Sequence, residues 1–208
     1  MERDRKAVKS WPATLRMLHW GMAIAIAAEV VVGFTMALTF LGAMQGGKVA
    51  QLHLRAGQVH HTLGFFLLAA VVWRLVVRLR HAAPADPDLG VGARIAARAV
   101  QGLLYLLMLL LPLSGWAALS ALGAGAGYEA PSIWFFTHDG FAPGGMIPHI
   151  VTPRPWDAPG LLVYSTFAKF HVYAVYTGAV LLSVHIGAAL YHHFWRRDRV
   201  LARMAARD

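Results

Sequence analysis

The sequence predicts an all-α membrane protein, a four-transmembrane-helix bundle with a long outer connection between its third and fourth helices. Of 208 residues, 58% are apolar and 14% are charged, whereas soluble domains carry about a quarter charged residues. Four apolar runs, at roughly 17–41, 58–80, 97–122 and 165–194, each reach the ~20 residues a helical span needs. Fifteen of the 19 Lys and Arg residues fall in the N-terminal arm, the middle connection with its adjoining helix end, and the C-terminal tail. The positive-inside rule therefore places both termini and the second connection in the cytoplasm, and the first and third connections outside. The whole chain, 1–208, reads as a single transmembrane domain.

The first helix opens with His19 and Trp20 near the cytoplasmic interface, where an amphipathic indole is at home. The basic arm before it leads into more than twenty apolar residues, too long for a cleavable signal, so this segment is expected to remain as the first anchor. Gly46 and Gly47 mark the short outer connection. The second helix begins near the outer surface in "QLHLRAGQVHH" and descends through "FFLLAAVVWRLVVRL" to the cytoplasm. Pro84 and Pro87 mark the loop beyond it.

The third helix contains no histidine; its Pro112 predicts a kink, and Gly102 and Gly115 permit close helix contact. A connection of about forty residues rich in Gly, Pro and aromatics follows. Connections of this length are usually functional or disordered, and the aromatic content favours an ordered cap on the membrane surface. The fourth helix carries His171 and His185, and ends in His192 and His193 at the inner boundary, which read as interfacial residues.

The net charge of +9 is accounted for by topology, so no nucleic-acid partner is expected. The chain has no cysteine, which excludes disulfides, thiolate metal sites, iron–sulfur clusters and haem attached through C-x-x-C-H.

Ionisable groups inside a membrane are costly and mark functional sites. Fourteen helical residues return to within roughly 40° of the starting direction and rise about 21 Å, so His171 and His185 share one face at two depths. Topology puts His19 at the inner level with His185, and His60 at the outer level with His171. Any one of these alone reads equally as a hydrogen-bonded membrane histidine. As two matched pairs they suit the axial positions of two tetrapyrroles, since histidine is a common haem-iron ligand, and closed six-coordinate iron suits electron transfer. Gly64 and Gly178 fall where a macrocycle or a neighbouring helix would approach. Arg74, fourteen residues after His60, lies at the inner level, where it either neutralises haem propionates or snorkels to the interface. His53 and His61 flank His60 on the outer side. Glu29, mid-helix, is open to three readings: protonated, hydrogen-bonded within the bundle, or part of a proton path.

These residues resemble the bacterial cytochrome b561 family, four-helix di-haem proteins related to the cytochrome b subunits of nickel hydrogenases. The likeness rests on "LHW" at His19, "H-x-x-x-G" from His60 to Gly64, "RLVVRL" from Arg74, "LPLSGW" in the third helix, and the His171–His185 spacing followed by "HHFW". It implies two non-covalent haems b, held by His19 with His185 and by His60 with His171, in a bacterial inner (cytoplasmic) membrane and exchanging electrons with quinone. One branch, similar in length and in "HHFW", oxidises superoxide outside the membrane and passes the electrons to ubiquinone. Two features depart from the family pattern: the long third connection, and Glu29 where an apolar residue is usual.

The leading expectation is a transmembrane electron carrier between an outer-side donor, superoxide or a redox protein, and the quinone pool. Its enzyme form is a superoxide:quinone oxidoreductase. An alternative makes the chain a haem-bearing anchor for a partner dehydrogenase or hydrogenase. A transporter or channel using the histidines for a divalent ion fits less well, because clustered carboxylates and broken helices are lacking.

Overall fold

The computed structural model describes residues 10–82, 90–122, 145, 147–155, 157–198 and 200–205. Four long helices dominate: α1 (Ala13–Ala43), α2 (Gly47–Arg80), α3 (Val91–Leu122) and α4 (Tyr164–Tyr191). α4 continues into a π-helical segment, His192–Arg196, and a short α5 (Ala202–Ala205) follows. Each long helix is apolar and long enough to cross a membrane. The expected four-helix architecture is therefore present. All four helices start earlier than their apolar runs. At about 1.5 Å per residue, 28–34 residues exceed the ~30 Å hydrocarbon layer, so the polar ends project beyond it.

Large apolar side chains point outward: Met17, Ile24, Leu38, Phe66, Leu79 and Val180 are all more than 60% exposed. This is the pattern of a helix bundle solvated by lipid. The interior is built from smaller groups, with Ser114, Ala117, Ala118, Ser120 and Ala121 on α3 buried alongside Leu15, Met22 and Val71. Small residues let helix backbones approach where no hydrophobic driving force pulls them together.

α1 and α2 form one antiparallel hairpin and α3 and α4 a second, with sparser contact between α2 and α3. The first hairpin turns on Gly46 and Gly47, whose φ angles of +80° and +71° favour glycine. Beside the turn, a Cβ added at Gly42 would stand 2.9 Å from Val49 Cγ1, so the helices meet there without room for a side chain. α3 remains helical through Pro112.

Most of the third connection, including residues 123–144, lies outside the described residues, and so does the expected aromatic cap. Its later part, 147–155, straps the end of α3. The Trp116 indole N–H donates to the Pro148 carbonyl (2.9 Å), His149 Nδ1 to the Ser120 carbonyl (3.0 Å) and the Arg154 backbone N–H to the Ala121 carbonyl (2.9 Å). The last two bonds satisfy carbonyls that a helix C-terminus leaves without intrahelical donors. At the opposite end of the bundle the C-terminal segment returns to α1, with Trp20 Nε1 donating to the Met204 carbonyl (3.1 Å) and the Trp11 backbone N–H to that of Arg203 (3.2 Å).

Candidate functional site

α4 approaches the backbones of α1 and α2 over no appreciable length, yet two histidine pairs cross that gap. The His60 ring on α2 lies 6.0 Å, centre to centre, from the His171 ring on α4, at an interplanar angle of 79°. The His19 ring on α1 lies 6.2 Å from the His185 ring on α4, at 78°. Both pairings match those expected from helical depth. His171 and His185 lie fourteen residues apart within one uninterrupted helix, so the two pairs are separated by about 21 Å along it.

In the His60–His171 pair, His171 is oriented through its Nδ1 atom. His171 Nδ1 donates to the Leu111 carbonyl (3.0 Å) and lies 3.0 Å from Ser114 Oγ, whose own hydroxyl donates to Leu111 (2.8 Å). A carbonyl can only accept, so Nδ1 carries the proton and Nε2 keeps its lone pair for a ligand. Gly115 makes room for the ring: a Cβ there would meet His171 Cε1 at 3.5 Å.

His60 Nδ1 lies 3.2 Å from Glu29 Oε1, with the two side chains 23% and 17% exposed. The separation is that of an ion pair, but the ring N–H does not point along the line of a good hydrogen bond, and Nδ1 otherwise has no partner. The contact therefore acts chiefly through charge. Gly64 faces Glu29 Oε1, which a Cβ would meet at 3.7 Å, and Gly33 faces the His60 ring at 3.6 Å.

The His19–His185 pair has fewer hydrogen-bond partners among the described residues. His19 Nδ1 is buried with no hydrogen-bond partner among the described residues, and so is Arg74 Nε. Arg74 bears electrostatically on both His19 and His185, and its guanidinium lies 5.4 Å from the centre of the Tyr105 ring. The arginine thus stands at the inner level with donor capacity left over.

The remaining flagged residues lie elsewhere. His53 Nδ1 donates to the Met36 carbonyl (3.2 Å) and lies 3.1 Å from Thr39 Oγ1, tying α2 to α1. The His61 ring meets that of His60 edge-on at 5.9 Å. Gly178 faces Leu107 at 3.9 Å, on the seam with α3. His192 pairs with Asp198 beyond the π-helical segment. Sequence reasoning did not identify Leu111, Ser114 and Gly115 as neighbours of His171, nor Glu29 as the partner of His60.

The donor set fits a tetrapyrrole held between each pair. Metal–imidazole bonds of about 2 Å on either side of one iron hold two ring centres roughly 6 Å apart, the spacing seen at both levels. Among the described residues no group of three His, Asp or Glu side chains is placed to hold a metal ion.

Comparison with known proteins points the same way. Residues 10–206 match the family model described as prokaryotic cytochrome b561. The chain is 26% identical over 191 residues to cytochrome b561 homolog 1 of Escherichia coli (strain K12), an alignment covering 91% of this chain and 93% of that protein.

Proposed function

The chain belongs to the prokaryotic cytochrome b561 family, multi-pass membrane proteins that transfer electrons through haem b, and we propose that it does so through two haems stacked across the bilayer. The observation that carries this reading is the pair of facing imidazoles at two depths, His60 with His171 at 6.0 Å and His19 with His185 at 6.2 Å.

In this reading His60 and His171 hold the outer haem, His19 and His185 the inner one, and Arg74 supplies a cation at the inner level. When bound, haem b contributes a one-electron couple at each level. The chain's own residues hold His171 in the ligating tautomer through the Leu111 carbonyl and set the Glu29 carboxylate 3.2 Å from His60 Nδ1. They also surround the pairs with apolar helix that excludes water. Two histidines at each level would hold the iron and would suit it to electron passage rather than oxygen binding.

The electron path runs between an outer-side donor and the quinone pool of a bacterial inner membrane, with both termini cytoplasmic. The family resemblance supports quinone as one terminus and superoxide as a donor. A small anion of this kind would be steered by Lys48, Arg55, Arg154 and Lys169, the four basic residues assigned to the outer side.

The test is a haem count with ligand variants. Purified protein is expected to show two b-type haems per chain in reduced-minus-oxidised spectra. His171→Ala should lose the outer component and His185→Ala the inner one, each leaving about one haem. A wild-type protein without haem, or variants that each lose the wrong component, would defeat the reading. Stopped-flow mixing then examines the donor: superoxide at low salt should reduce the haems faster than it dismutates, and ubiquinone should reoxidise them.

A further inference from the structure

We infer that Glu29 is a positioning residue that makes the two haem sites electronically unequal, by placing a carboxylate behind the axial ligand His60. The inference rests on the two-haem reading above.

Three of the four histidines differ visibly in what stands behind them. His171 Nδ1 faces a neutral carbonyl and a hydroxyl, at 3.0 Å each. His19 Nδ1 is buried with no hydrogen-bond partner among the described residues. His60 alone among the three faces a carboxylate, Glu29 Oε1 at 3.2 Å. The carboxylate is deep in α1, seventeen residues into a helix that begins at Ala13, and its Oε2 is buried with no hydrogen-bond partner among the described residues. A bare carboxylate so far from water is expensive, and no Lys or Arg is paired with it among the ion pairs of the described residues.

Packing holds the group in place. A Cβ at Gly64 would stand 3.7 Å from Glu29 Oε1, and one at Gly33 would stand 3.6 Å from the His60 ring. These glycines, one on each helix, bring backbone into van der Waals range of the carboxylate and the imidazole. The half-buried pair thus joins α1 to α2.

The electronic consequence follows from charge. A negative group behind an axial imidazole makes that ligand more basic and favours the oxidised, more positive iron over the reduced one. The outer site is thereby held at a lower potential than its two imidazoles alone would set. At the inner level the neighbouring charge is the Arg74 cation, which favours the reduced state. The two levels are thus biased in opposite directions, so that an electron arriving outside is drawn inward.

The experiment is a redox titration of the purified, haem-loaded protein, with the outer component identified as the one missing from His171→Ala. Glu29→Gln keeps the shape and removes the charge. Outer-shell partners of metal ligands are commonly worth about 10–100-fold, so the outer oxidation equilibrium should change by at least about tenfold toward the reduced form, ~59 mV upward for one electron. The inner midpoint should stay in place, and Glu29→Asp, which keeps the charge, should remain near wild type. If Glu29→Gln holds both haems and the outer midpoint does not rise, or if both midpoints move together, the inference is overturned while the two-haem reading stands. If Glu29→Gln loses the outer haem, Glu29→Asp decides: a wild-type outer midpoint supports the inference and a raised one overturns it. A wild-type protein without two haem components overturns both this inference and the reading beneath it.

Discussion

His171 donates its Nδ1–H to the backbone carbonyl of Leu111, 3.0 Å away on the neighbouring helix. The bond sets the imidazole tautomer by a group that mutation cannot remove. Ser114 Oγ shares the same proton at 3.0 Å, but it is a second acceptor rather than the determining one.

Ser114→Ala is therefore expected to keep both haems. It removes one hydrogen bond to Leu111 and one contact to His171, an effect of about 1 kcal/mol on stability. The measurement is haem content together with the midpoint of thermal haem release. Loss of the outer haem in this variant would mean that the hydroxyl, not the carbonyl, orients the ring.

Arg74 makes the opposite electrostatic prediction to Glu29. A guanidinium near the inner pair stabilises the reduced haem, which carries one positive charge fewer than the oxidised one. Arg74→Gln should lower the inner midpoint by about tenfold or more in the equilibrium, ~59 mV for one electron, and leave the outer midpoint in place. Arg74→Lys should fall between, since an ammonium keeps the charge without the planar fork. Potentiometric titration of the two components checks both.

Gly42 lies where α1 and α2 converge, with Val49 Cγ1 only 2.9 Å from the position a Cβ would take. Val is stiff at χ1, so it yields poorly. Gly42→Ala should cost about 1–3 kcal/mol through overpacking, and adding Val49→Ala should recover most of the loss. Thermal melting followed at the haem absorption band compares the single and double variants.

Much of the architecture was legible because the membrane imposes it. Spans of ~20 apolar residues and the distribution of Lys and Arg predicted four helices and their order. The start of the second helix was legible in "QLHLRAGQVHH", although too polar to count toward the span, and only the four residues before it, 47–50, extend α2 beyond that reading. The histidine pairing was readable because helical rise converts spacing into depth. The same arithmetic bears on Glu29, ten residues or about 15 Å beyond His19 along α1, within roughly a turn of the outer level. Depth alone does not say which way a side chain faces, so its contact with His60 needed the packing of α1 on α2. Leu111 and Ser114 were hidden for a related reason, since the register of α3 against α4 has no periodic signature in either helix.

The last prediction concerns the C-terminal end of α4, where Asp198 gathers the chain as it leaves the π-helical segment. Its carboxylate contacts His192 Nδ1, lies 3.5 Å from Arg196 Nε, and accepts the Val200 backbone N–H at 3.2 Å. Burial alone would raise its pKa above the ordinary 3.8, but the His192 hydrogen bond, the Val200 N–H and the charges of His192 and Arg196 outweigh this and hold it lower. A carboxylate depressed in the folded state contributes stability that is fully present above its ordinary pKa, and that is lost as pH falls through its lower folded value. The Asp198 contribution is thus constant near neutrality and is lost only in acid. Because α5 follows within a few residues and caps Trp20 through the Met204 carbonyl, that loss should release this segment from the start of α1. Asp198→Asn should reproduce the acid behaviour at neutral pH, with faster proteolysis of the tail and altered tryptophan emission, while haem content stays at the wild-type value. A tail as protected in Asp198→Asn as in wild type would mean that the Trp20 and Trp11 contacts hold it unaided.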